Sequence, residues 1–121
     1  MKTCLLIDES RVMRSYTRAI VENLAFTCRE APDSKSALLT CAFAMPDVIM
    51  LDWSLPGLSG VECLKAIRAL PDGDRPKIIL CSSNSDIDQI LLALDQGADE
   101  YVMKPFDKDI IRSKFEQTGV I

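Results

Sequence analysis

The chain has 121 residues, 48% of them hydrophobic and 26% charged, with a formal net charge of −4. That length holds one hydrophobic core and not two, so residues 1–121 read as a single domain without a separate output module. The mildly acidic balance, without a Lys/Arg cluster, argues against direct nucleic-acid binding, and no stretch is long and apolar enough for membrane insertion.

Thr3 to Ile7 is a short apolar run closed by Asp8-Glu9 and reads as the first strand. It is far shorter than a signal-peptide core, so a cytoplasmic protein is expected. Ser10 can cap a helix from Arg11 to about Ala25, with Met13, Tyr16, Ile20 and Leu24 as its buried stripe. Thr27 to Glu30 is a weaker strand. Asp33 or Ser34 can cap a second helix running to about Ala44, with Ala37, Leu38, Cys41 and Met45 inward and Pro46 as its stop.

Val48 to Leu51 is a buried strand that ends at Asp52, before the breakers Pro56 and Gly57. Gly60 precedes a third helix with Val61, Leu64, Ile67 and Leu70 spaced in threes, and Pro71-Asp72-Gly73-Asp74 is a turn. Lys77 to Cys81 is a fourth strand. The fourth helix is expected over Asn84 to Gln96, packed through Ile87, Ile90, Leu91 and Leu94, with Gly97 as its left-handed stop. Glu100 to Met103 is a fifth strand, and Asp107 caps a last helix bearing Ile110, Ile111 and Phe115. Five strands alternating with five helices force parallel pairing with helices on both faces, a three-layer α/β/α sandwich of (βα)5 type.

The five cysteines are odd in number, lack C-x-x-C spacing and fall inside apolar segments, so they read as reduced core thiols. Cys4 and Cys28 fall on strands that can be neighbours, and proximity alone does not make a bridge. The chain has no histidine, which removes His-based acid–base catalysis and His zinc sites.

In a parallel sheet the residues just past each strand share one carboxyl edge, where ligands gather. Here they are Asp8 and Glu9, Asp52, Ser82 with Ser83, and Lys104 before Pro105. Taken singly, Asp52 reads equally as a turn former or cap, Ser82 as a turn residue and Lys104 as a solvated amine; together they form a site. An oxygen-only acidic cluster suits a hard cation, Mg²⁺ with Mn²⁺ as a substitute. Asp8 and Asp52 would bind it directly, Glu9 through water, and the backbone carbonyl of Ser54 would complete the set. A metal, an ammonium and a hydroxyl around one carboxylate are the parts that stabilise a phosphoryl group in transfer, with Asp52 as the nucleophile.

The segments Ile7-Asp8-Glu9-Ser10, Leu51-Asp52-Trp53-Ser54-Leu55-Pro56-Gly57, Leu80-Cys81-Ser82-Ser83 and Tyr101-Val102-Met103-Lys104-Pro105-Phe106 resemble the signature segments of receiver domains of bacterial two-component response regulators, of the stand-alone CheY-like type. The resemblance covers the whole chain. It implies a flavodoxin-like strand order 2-1-3-4-5, phosphoacceptor Asp52, metal-binding Asp8 and Glu9, a switch hydroxyl at Ser82 and a switch aromatic at Tyr101. It further implies a phosphate-contacting Lys104, a cis bond between Lys104 and Pro105, and Ser54 and Asn84 as neighbours of the phosphoryl group that tune dephosphorylation. Serine at position 82, where threonine is commoner, keeps the hydroxyl and loses the methyl that stiffens its rotamer.

The expected role is that of a single-domain response regulator in phosphorelay signalling, a phosphoprotein and not a turnover enzyme, whose only catalysis is its own phosphotransfer and dephosphorylation. Its donor would be a sensor histidine kinase or histidine phosphotransfer protein. Its output would be a protein target docking on the fourth helix, fifth strand and last helix, a face whose Asp95, Gln96, Glu100, Asp107 and Lys108 read as polar. The chain itself is expected as a monomer or weak dimer. A phosphate sink for a kinase, or a phosphorylation-independent interaction module, are the alternatives. A flavodoxin-like nucleotide binder would need a Gly-rich phosphate loop where Asp8-Glu9-Ser10-Arg11 stands.

Overall fold

The structure, a computed structural model, describes residues 1–83 and 86–121. Its elements alternate as β1 (Thr3–Ile7), α1 (Arg11–Glu22), β2 (Thr27–Ala31), α2 (Ser34–Phe43), β3 (Val48–Asp52), α3 (Gly60–Arg68), β4 (Lys77–Ser82), α4 (Ile87–Asp95), β5 (Glu100–Met103) and α5 (Lys108–Thr118). The strands pair in parallel in the order β2-β1-β3-β4-β5, as the alternation and the resemblance predict.

Successive strand residues face opposite sides of the sheet, and the core divides accordingly. Cys4, Leu6, Val48, Met50 and Ile79 join Val21, Ile111 and Phe115 beneath α1 and α5. Leu5, Ile7, Ile49, Leu51, Ile78 and Leu80 join Ala37, Cys41, Leu64, Ile67 and Ala93 beneath α2, α3 and α4. Every residue of β3 is buried, so the strand that carries Asp52 sits at the centre of both layers.

Side-chain caps set the described helix starts. Ser10, Asp33, Ser59 and Asp107 accept from the backbone N–H three residues on, and Asp86 from Asp88. Of the two predicted caps for α2, Asp33 serves. Ser34 is buried and accepts from the Leu58 N–H at 3.3 Å. Gly60 opens α3 against the backbone of Trp53, where an added Cβ would lie 2.7 Å from Trp53 Cα and O. Gly60→Ala should therefore destabilise the domain by about 1–3 kcal/mol, read by urea unfolding, because backbone atoms cannot give way as a side-chain tip would.

Several expectations require correction. α1 ends at Glu22 and not near Ala25, which adopts a left-handed φ of 68°. Its fully buried positions are Thr17 and Val21, with Met13, Ile20 and Leu24 packed at the margin. Tyr16 is exposed, donating from its hydroxyl to the Phe106 carbonyl at 2.6 Å. On α4, Ile90 and Ala93 are buried whereas Ile87, Leu91 and Leu94 are exposed. The expected start of that helix at Asn84 lies outside the described residues, and Ile110 of α5 is exposed.

Two ionic clusters brace the layers. Glu30 accepts from Arg14 Nε at 2.9 Å and Arg18 Nη1 at 2.7 Å, tying β2 to α1. The hydrogen bond from Arg18 chiefly, helped by Arg14 and opposed by burial, lowers the Glu30 pKa. A carboxylate lowered in the folded state stabilises above its ordinary range and loses that contribution as pH falls through its folded value. Glu30→Gln should thus cost no more than about 1 kcal/mol at pH 7, the ceiling for screened pairs, with the difference from the parent vanishing in acid unfolding curves. At the amino edge of the sheet, Arg68 donates to the carbonyls of Gly73, Pro76 and Gly97 and to Asp99 Oδ2, all within 2.6–3.1 Å.

Candidate functional site

Asp52 and Ser82 are the last residues of β3 and β4 rather than the first residues of loops. Each strand is thus one residue longer than expected, and the ladder holds the backbone of both side chains. Asp8 follows β1 and Lys104 follows β5, so four elements deliver these groups to the carboxyl edge. The Lys104 N–H donates to the Ser82 carbonyl at 2.9 Å, fixing the lysine beside the serine, and the Lys104–Pro105 peptide is cis.

The centre of the site is an ion triad. Lys104 Nζ lies 2.8 Å from Asp8 Oδ2 and 3.2 Å from Asp52 Oδ1. Asp8 Oδ1 also accepts from the Ser10 N–H at 2.8 Å, and Asp52 Oδ1 from the Ser54 N–H at 3.3 Å. Both carboxylates and Ser82 are buried. Burial, reinforced by the charge of Asp8 and opposed by Lys104, raises the Asp52 pKa above the usual carboxylate value. Burial alone would lower Lys104, but the hydrogen bond with Asp8 and the charges of both aspartates outweigh it, and its pKa is raised. The lysine therefore stays cationic at neutral pH.

Mg²⁺ is the cation implied here, and the donor chemistry fits it. Asp8 Oδ2 and Asp52 Oδ1 already converge on one positive centre. The adjoining Cys81 thiol is pushed up to about 12 by burial, so at neutral pH it stays protonated and offers no soft ligand. Glu9 is exposed and Ser54 is exposed. Among the described residues no three acidic or thiol groups are gathered as a cage, so the predicted trio of acids is here a buried pair plus an exposed neighbour.

Tyr101 is half-buried against the layer beneath α4, with Lys114 Nζ 5.4 Å from its ring centroid. Asn84 lies outside the described residues. One contact escaped the sequence: Trp53 Nε1 donates to Gln89 Oε1 of α4 at 2.6 Å, linking the residue after Asp52 to a helix 36 positions on. Among the described residues no helix is long and apolar enough to cross a membrane.

The family model for the response regulator receiver domain matches residues 4–116. The chain is 30% identical over 114 residues to the chemotaxis protein CheY of Pseudomonas aeruginosa, covering 93% of this chain and 92% of that protein. It is 35% identical over 107 residues to the transcriptional regulatory protein CseB of Streptomyces coelicolor, covering 88% of this chain and 44% of that longer protein. In fold it is similar to the chemotaxis response regulator CheY4 of Vibrio cholerae, with a TM-score of 0.91 at 22% identity and 98% coverage of each chain. It is also similar to the receiver domain of the sensor histidine kinase PA1611 of Pseudomonas aeruginosa PAO1, with a TM-score of 0.86 at 25% identity and 98% coverage of each. That structure carries a magnesium ion coordinated in its active site cleft.

Proposed function

This chain belongs to the family of response regulator receiver domains, and from that premise we propose that it accepts a phosphoryl group on Asp52 and thereby changes its affinity for a protein partner. The observation that carries this reading is the buried Asp8–Lys104–Asp52 triad at the carboxyl edge. With Oδ1 of Asp52 engaged by Lys104 and the Ser54 N–H, Oδ2 is the oxygen assigned to the attack on phosphorus. The bond between phosphorus and the donor nitrogen or oxygen breaks as the new O–P bond forms, its electron pair leaving with the donor.

Burial strips water from the Asp52 carboxylate and raises its pKa, a rise that the neighbouring ammonium opposes. Lys104 then offsets charge on the phosphoryl oxygens, and the Ser82 hydroxyl donates to one of them. Asp8, Asp52 and the Ser54 carbonyl, with Glu9 through water, would hold Mg²⁺, which would supply further positive charge to the site. The chain contains no histidine, so the phosphohistidine donor is a kinase or phosphotransfer protein, with a small acyl phosphate as a substitute.

The output face is that of α4, β5 and α5. It exposes Ile87, Leu91, Met103 and Ile110 around the half-buried Tyr101, and so is more apolar than its sequence composition implies. Movement of Ser82 toward the phosphoryl group, followed by Tyr101, is the proposed switch. In cell terms this is a phosphoprotein of the cytoplasm, self-modifying and not a turnover enzyme.

Incubation with an acyl phosphate and Mg²⁺ should add one phosphoryl group by intact mass and change the fluorescence of Trp53, the residue after Asp52. Asp52→Asn should abolish the gain completely. No gain in the parent, or an equal gain in the variant, overturns the assignment.

A further inference from the structure

All five cysteines are buried free thiols, and two of them stand directly opposite each other. β1 and β2 pair with Cys4 in register with Cys28, and both belong to the apolar layer beneath α1 and α5, so their side chains leave the sheet on one side. Neighbouring strands run about 4.8 Å apart, within the Cα separation of about 4.4–6.8 Å that a disulfide spans. We propose that Cys4 and Cys28 are a dithiol site that a peroxide oxidises to an intramolecular disulfide, joining the edge strand β2 to β1.

The two thiols have distinct parts. Cys28 lies on β2, which has only β1 as a strand neighbour, and it is 4% exposed where Cys4 is fully buried. Edge strands open locally at low cost compared with a central strand, and that opening admits the peroxide. The hydrogen bond with Cys4 lowers the Cys28 pKa against its burial, whereas burial drives Cys4 well above the usual thiol value. Cys28 Sγ attacks a peroxide oxygen, forming S–O as O–O breaks, and the released oxygen leaves as water with the thiol proton. Cys4 Sγ then attacks the resulting sulfenic sulfur, forming S–S as S–O breaks, and the second oxygen leaves as water. Two thiols lose two electrons and two protons, and hydrogen peroxide becomes two waters.

The other cysteines lack this arrangement. Cys41 and Cys63 are near enough to interact in the opposite layer but sit on helices, with burial pushing them to about 11 and 12. Cys81 is likewise pushed up to about 12. All three are protonated at neutral pH and poorly nucleophilic.

The test is to treat the fully reduced protein with hydrogen peroxide at neutral pH, alkylate in denaturant, and map peptides without reduction. Before alkylation the intact mass should fall by about 2 Da relative to the reduced chain, and after it the peptide of Cys4 should be linked to that of Cys28 with the other three thiols alkylated. Cys4→Ala should instead leave a sulfenic acid on Cys28 that a 1,3-dione probe captures, and Cys28→Ala should prevent both products. Five alkylated thiols after peroxide, a Cys41–Cys63 linkage, or oxidation beyond the sulfenic state without a bridge would each overturn the proposal. The unmodified protein alone decides it, so a variant that fails to fold does not blunt the test.

Discussion

Lys104→Ala is expected to slow phosphoryl incorporation by about 10²–10³-fold, the usual cost of losing one preorganised charge or donor at a transferring group. It should also destabilise the fold at neutral pH by about 1–3 kcal/mol, because it leaves the buried carboxylates of Asp8 and Asp52 facing a vacated cation position. The sign of the pH dependence follows. Without the ammonium that opposes the rise, Asp52 holds a proton more tightly when folded than when unfolded, so the loss is largest above the ordinary carboxylate range and is smaller at about pH 5 than at about pH 7. Urea unfolding at the two pH values measures it, and an equal midpoint shift at both would remove the ionic explanation. Lys104→Arg should restore most of the stability and little of the rate, since a planar fork cannot occupy a point-charge position.

The second large effect is expected far from the chemistry. Phe115→Ala should cost about 3–5 kcal/mol in urea unfolding, a large share of the 5–15 kcal/mol typical of whole domains. Phe115 is fully buried and meets Phe26 edge-on, with centroids 5.2 Å apart at 73°. Both rings belong to the layer beneath α1 and α5, and α5 supplies one side of the proposed output face. A loss under about 1 kcal/mol would mean that α5 rests on the sheet through other contacts and collapses around the missing ring.

Strand identity and the convergence at the carboxyl edge were legible because β1, β3, β4 and β5 are short, largely apolar runs that end in or precede a polar residue with chemistry to offer, whereas β2, Thr27-Cys28-Arg29-Glu30-Ala31, carries no such sign. Asp8, Asp52, Ser82 and Lys104 meet at one edge for that reason alone. Helix faces were less legible where periodicity carried little information. α4 reads Ile87-Asp88-Gln89-Ile90-Leu91-Leu92-Ala93-Leu94-Asp95, apolar on most sides, so no stripe stands out. Ile90 and the small Ala93 are buried, while Ile87, Leu91, Leu92 and Leu94 stay outside. On α1 the buried centre includes Thr17, a polar residue that a search for apolar spacing passes over, while Met13, Ile20 and Leu24 of the apolar stripe pack at its margin and Tyr16 is exposed. The early end of α1 turns on a left-handed Ala25, for which alanine gives no local sign. Bonds such as Trp53–Gln89 depend on side-chain reach across the finished fold, and no local pattern encodes them.

The turn between α3 and β4 exposes Asp72, Asp74 and Arg75 and has the Pro-Asp-Gly composition of a loop open to variation. The guanidinium of Arg68 makes it the opposite. Because that one group collects the carbonyls of Gly73, Pro76 and Gly97, lengthening the turn to splice in an epitope or reporter would carry two of those three carbonyls away. A half-buried arginine would be left with donors unmet. A solvent-facing loop is thus a poor place for grafting, and surface accessibility is a misleading guide to where this chain tolerates new sequence.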